Sequence, residues 1–144
     1  MTGVQTCALP IFHCLLAANR WEKLQELKSA DERNSVLVIN RYYQSNLVYG
    51  VANGMPLSWL EGLDAGLPKA DLVIVLDISQ KESFSRKTSN RDKFEKNVQF
   101  LQKISSTYRR LAKKYHWIVV NASQPQEQVH ADIMRVLSKK LAKL

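Results

Sequence analysis

An arginine stands between an amide and a phenol in Asn40-Arg41-Tyr42, and Ser45, Asn46 and Tyr49 follow within two helical turns. A guanidinium can grip a phosphate or carboxylate with two parallel N–H bonds, and the neighbouring amides, hydroxyl and phenols can orient whatever is gripped. Two readings of Arg41 stand side by side: a hold on an anionic ligand, or a buried side chain tied to a structural carboxylate. A second arginine, Arg20, is delivered by the small-residue patch Ala17-Ala18-Asn19-Arg20-Trp21-Glu22. It has an ion pair with Glu22 or Glu26 open to it, or a ligand contact. A third group, Arg86, Lys87 and Arg91 with Lys93 close behind, lies in the most polar and least periodic part of the chain. A basic loop over a phosphate has this composition, and so does an idle solvated loop, which composition alone favours.

The elements that must position these groups alternate. Residues 36–39 are apolar and β-branched, too short a run for a helix, and are expected to form a central strand buried on both faces. Residues 72–77 and 117–121 repeat the pattern. Helical periodicity is expected over 12–29, 42–51, a short piece around Trp59 and Leu60, 80–87, 94–115 and 126–144. In 94–115, Val98, Leu101, Ile104, Tyr108 and Leu111 share a face, and in the last helix Val129, Ile133, Val136, Leu137 and Leu141 do. Asn53-Gly54-Met55-Pro56 and the stretch from Gly66 to Asp71 are turns. Strands alternating with helices predict an α/β fold, a parallel sheet with helices on both faces. Ligands of such sheets bind at the carboxyl ends of the strands, where Arg41 follows 36–39. Three strands are few for this architecture, and at least one more is expected upstream.

The chain of 144 residues is long enough for one domain with a hydrophobic core. Its formal charge of +8 favours polyanionic company, either nucleotide phosphates or nucleic acid. Cys7 and Cys14 make no disulfide framework, and His13, His116 and His130 are scattered without metal-ligand spacing, each expected at the surface or a boundary. No apolar stretch has the length of a membrane span, and the cytoplasm is the expected compartment. Residues 1–11 fit poorly with the rest of the chain. TGVQTCALPI resembles the translation of a sequencing-library adapter, so 1–11 are expected to be a non-native leader and 12–144 a single domain.

The combination of Ala18-Asn19-Arg20-Trp21-Glu22, Asn40-Arg41-Tyr42 with Ser45-Asn46 and Tyr49, Gly66-Leu67-Pro68-Lys69-Ala70-Asp71-Leu72, and Arg91-Asp92-Lys93-Phe94-Glu95 resembles the thymidylate kinase family. The likeness runs in order through 12–144. It implies a P-loop NTPase fold of the nucleoside monophosphate kinase kind, transfer of the terminal phosphoryl of ATP to dTMP with magnesium to give dTDP for dTTP biosynthesis, and a homodimer without nucleic acid or membrane. Carried over by the motifs, Arg41 grips the acceptor phosphate and Arg86 and Arg91, with Lys87, belong to a lid over ATP. Arg20 contacts the thymine ring, Ser45 and Asn46 lie along the substrate, and Tyr49 sits near the deoxyribose. Asn121, Ala122 and Ser123 belong to the loop beside adenine. Phosphoryl transfer needs such positioning and positive charge more than covalent chemistry.

Three departures accompany the likeness. No Gly-x-x-x-x-Gly-Lys-Ser/Thr occurs, so the first strand and phosphate-binding loop are expected to precede residue 12, and the chain as it stands is expected not to turn over. Asn40 stands where the family usually has Asp, which leaves the metal ligands unknown. Leu16 stands where a phenylalanine usually stacks on the base. The alternatives are a kinase for another deoxynucleotide or a deoxynucleoside, and a non-catalytic basic module that binds nucleic acid. The chain lacks the aromatic and glycine interleaving of single-strand binders.

Overall fold

The computed structural model describes residues 3–32, 36–79, 82 and 98–142. The chain divides into two compact units, residues 1–69 and 70–144.

The first unit is helical, with α1 (Gly3–Glu22), α2 (Leu24–Glu32), α3 (Tyr43–Ala52) and α4 (Leu57–Leu63). The expected helix over 12–29 is broken at Lys23, whose N–H turns back to the Arg20 carbonyl at 3.2 Å before α2 begins. At its other end α1 runs upstream of residue 12 to Gly3 and carries Pro10 in its interior, a position without an N–H for the helical ladder. α1 packs on α3 and α4, and α3 on α4. Ala17, Leu47, Val48, Ala52, Leu60 and Leu67 form the core between them. Gly50 lets α3 and α4 close together, since a Cβ there would stand 2.5 Å from both methyls of the fully buried Leu60. Gly54, at φ 87°, turns the chain between these two helices, a conformation that glycine adopts without strain.

Residues 36–39 correct the sequence reading. They form no strand, and Val36, Leu37, Val38 and Ile39 are all exposed, Val38 by 84%. A strand buried on both faces needs a hydrogen-bonded neighbour, and among the described residues the ladder joins two other segments only.

Those segments make the second unit. β1 (Ile74–Asp77) leads through residues outside the described set to α5 (Val98–Tyr115), then β2 (Ile118–Asn121) and α6 (Gln126–Leu141). β1 and β2 pair in parallel, with Ile74 beside Ile118 and Asp77 beside Asn121. α5 lies against both strands and α6 against β2. Of the face its spacing predicts, Ile104 and Leu111 are buried along α5, Leu101 and Tyr108 are half-buried and Val98 is exposed, while Thr107 and Ala112, outside that set, are buried too. His116, at φ 56°, ends α5, and the Trp117 N–H reaches back to the Ala112 carbonyl at 2.9 Å, the Schellman pattern. On α6, Val129, Ile133, Val136 and Leu137 are half-buried and Leu141 is exposed. The expected helix over 80–87 and the start of that over 94–115 lie outside the described residues.

Candidate functional site

In the first unit the turn that ends α4 meets α1 through two consecutive side chains. Arg20 donates from Nε and Nη2 to the two carboxylate oxygens of Asp64, both at 2.8 Å, with the carboxylate 4% exposed and the guanidinium 12%. Next to it, Trp21 Nε1 donates to the Leu63 carbonyl at 2.8 Å, and its ring lies over Gly66, 3.0 Å from where a Cβ would stand. Arg20 is therefore paired, but with Asp64 rather than with Glu22 or Glu26. Side chains one and two positions apart on a helix do not face each other, and Glu26 instead takes the Lys23 ammonium at 2.8 Å.

Tyr42 joins this cluster. Its hydroxyl donates to the Pro68 carbonyl at 3.3 Å, and its ring packs edge-on against Tyr43. Burial, and behind it the Asp64 carboxylate, pushes the Tyr42 phenol above its ordinary value, with the Arg20 charge pulling the other way. Arg41, one residue earlier, is exposed and held at φ 66°. Left-handed backbone is uncommon outside glycine and costs roughly 1–2 kcal/mol. Its guanidinium sits 5.1 Å over the Tyr49 ring, a cation–π contact. No carboxylate pairs with it among the described residues, so the buried, carboxylate-tied alternative does not hold. α3 starts two residues later with no side-chain cap.

Asn46 and His13 tie α1 to α3. Asn46 Oδ1 and His13 Nδ1 share a short hydrogen bond, and Asn46 Nδ2 donates to the His13 carbonyl at 3.5 Å. Both are almost wholly buried, at 2% and 1% exposure. This corrects the expectation of a boundary position for His13, which trades solvent for a partner amide. Leu16, one turn before Arg20, is 38% exposed, and Ser45 and Tyr49 are half-buried. Asn40 is exposed.

In the second unit the carboxyl ends of β1 and β2 are laced together. Ala122 N–H donates to the Asp77 carbonyl at 2.8 Å and Ser79 N–H to Ser123 Oγ at 2.9 Å. Asn121 Oδ1 accepts from the Ser123 N–H at 2.9 Å, the Asx turn that shapes this loop. Arg109 on α5 donates to Asp77 Oδ2 at 2.9 Å from Nε and Nη2 alike. A shallow cavity of about 180 Å³ opens beside it, lined by Ile78, Ser79, Gln102, Ser106 and Arg109. Arg86, Lys87 and Arg91 lie outside the described residues.

Arg41 and Tyr49 are thus brought together, Arg20 is paired with Asp64, and Asn121, Ala122 and Ser123 form one loop at a strand edge. Asn46 is satisfied by His13. Reasoning from sequence missed Asp64, His13 and the Asp77–Arg109 pair. Asp64 had a signal, lying two residues before Gly66 in Asp-Ala-Gly-Leu-Pro. Among the described residues no three His, Cys, Asp or Glu side chains are grouped to hold a metal, and Asn40 brings no charge.

The first unit thus carries an exposed arginine just before α3 and the second a parallel strand pair with a laced loop at its carboxyl end. The family model for thymidylate kinase matches residues 4–133, and the chain belongs to the thymidylate kinase family. It is 29% identical over 133 residues to the thymidylate kinase of Schizosaccharomyces pombe, covering 89% of this chain and 63% of that one. Against the probable thymidylate kinase of Pyrococcus abyssi it is 34% identical over 131 residues, 88% and 64% of the two chains. Against the human thymidylate kinase it is 34% identical over 130 residues, 88% and 60%. The chain thus spans about 60% of the length of these curated relatives.

Proposed function

We propose that this chain is the greater part of a thymidylate kinase, a P-loop-type nucleoside monophosphate kinase moving the terminal phosphoryl of ATP to dTMP. The observation that carries the reading is Arg41, a cation without a carboxylate partner among the described residues, held in left-handed backbone at the uncapped start of α3. Strain of this kind gathers where a side chain must be presented to a ligand. A helix amino end favours the same negative charge as the guanidinium. Arg41 binds the acceptor phosphate, Tyr49 supports it from beneath and borders the sugar, and Leu16, Arg20, Ser45 and Asn46 serve the base end. Asn121, Ala122 and Ser123 serve the adenine of ATP, and Arg86 and Arg91 cover its phosphates. Magnesium, a homodimer and a cytoplasmic setting follow from membership of the family.

Titration calorimetry of the purified chain with the four deoxynucleoside monophosphates, thymidine and a short DNA tests this. The expected order is dTMP tightest, with thymidine weaker because it gives Arg41 nothing to hold. Equal binding of all four monophosphates would overturn the base assignment. Steeply salt-dependent DNA binding without any response to dTMP would overturn the kinase reading itself.

A further inference from the structure

The two arginines of the first unit differ in electrostatic state, and that difference goes beyond their assignment to one substrate. Arg41 has no carboxylate partner among the described residues, whereas Arg20 is locked side-on to Asp64 through Nε and Nη2. A guanidinium has five N–H donors. Asp64 occupies two of them, leaving Nη1 and the outer hydrogen of Nη2. It also cancels the charge, in a setting where the carboxylate is 4% exposed. A compensated guanidinium gains little from a second anion but still offers directed donors, which suit a neutral carbonyl. Trp21 on the Leu63 carbonyl holds the same turn to the same helix, which fixes where Asp64 stands.

We propose that Asp64 is a positioning residue for base recognition, converting Arg20 from a general anion binder into a fixed donor pair for a carbonyl on the nucleobase. This rests on the thymidylate kinase reading, in which Arg41 serves the phosphate and Arg20 the base, and adds to it the residue that sets the orientation and charge of Arg20.

The test compares dTMP with 2-deoxyribose 5-phosphate, which has the phosphate and sugar without the base, in the whole chain and in Asp64→Asn, Asp64→Glu and Arg20→Ala. The readout is the ratio of the two affinities. A variant that merely lowers the folded fraction weakens both ligands by the same factor and leaves the ratio alone. Asp64→Asn is expected to reduce the ratio by about tenfold, as one charge-assisted hydrogen bond would, and Arg20→Ala by a similar factor. Combining the two should add little beyond Arg20→Ala, because Asp64 acts through Arg20. Asp64→Glu keeps the charge but changes the reach, and should fall between. A ratio unchanged in both Asp64→Asn and Asp64→Glu while Arg20→Ala lowers it overturns the role of Asp64 and leaves the kinase reading standing. A ratio near one in the unaltered chain overturns the base-end reading, and this inference with it.

Discussion

The indole of Trp21 lies over the bare α-carbon of Gly66, its Cη2 3.0 Å from where a Cβ would be, while Gly66 itself sits at φ 104°. Both facts oppose any side chain there. Gly66→Ala is expected to cost about 1–3 kcal/mol, from backbone strain and from displacing a ring already anchored on Leu63. A lower urea midpoint with unchanged slope, together with a shifted tryptophan emission, is the expected result.

Gly50→Ala should be at least as damaging for a purely steric reason. A Cβ would meet both Leu60 methyls at 2.5 Å, and Leu60 has no exposed surface into which to swing. Overpacking of this sort costs about 1–3 kcal/mol. Gly50→Ala combined with Leu60→Ala should be less destabilising than the sum of the two single changes, as measured by chemical denaturation.

The backbone of Arg41 separates binding from stability. Arg41→Ala and Arg41→Gly both remove the guanidinium and its contact with Tyr49, so both should abolish measurable dTMP binding. Glycine relieves the φ of 66°, whereas alanine keeps the strain. Arg41→Gly should therefore be more stable than Arg41→Ala by about 1 kcal/mol. Equal denaturation midpoints would mean the left-handed conformation stores nothing at this position.

Alkaline pH offers a fourth test. The Tyr42 phenol is pushed above its ordinary 10.0, first by burial and then by Asp64. The folded chain thus holds this proton more tightly than the unfolded chain. Its contribution is fully present below pH 10 and is lost as pH rises through the folded value. Tyr42→Phe loses the bond to the Pro68 carbonyl, about 0.5–1.5 kcal/mol at neutral pH. Its deficit against the unaltered chain should shrink when urea midpoints are compared from pH 8 to pH 11. A constant deficit across that range would contradict the shift.

Local periodicity made much of this fold readable. The α5 face of Ile104 and Leu111 and the runs that became β1 and β2 all follow from spacing, because their partners lie within the same unit. Residues 36–39 did not follow. Their pattern describes what such a segment is suited to, but a strand exists only where another backbone accepts its hydrogen bonds. The site divided the same way. Arg41 stands out from its neighbours in the sequence, but the partner of Arg20 lies 44 positions away, and carboxylates nearer in the chain compete for attention. His13 read as an ordinary scattered histidine because burial with Asn46, 33 positions on, leaves no local trace.

The neighbouring attachments of Arg20 and Trp21 index α1 against its surroundings. Consecutive helical side chains point about 100° apart and are stepped by about 1.5 Å, so one turn of chain that holds both must wrap part-way around the cylinder. Rolling α1 by a single residue would present Asn19 or Glu22 to grips shaped for a fork and an indole. The helix is keyed in angle and height at once, as a notched shaft is held in its collar.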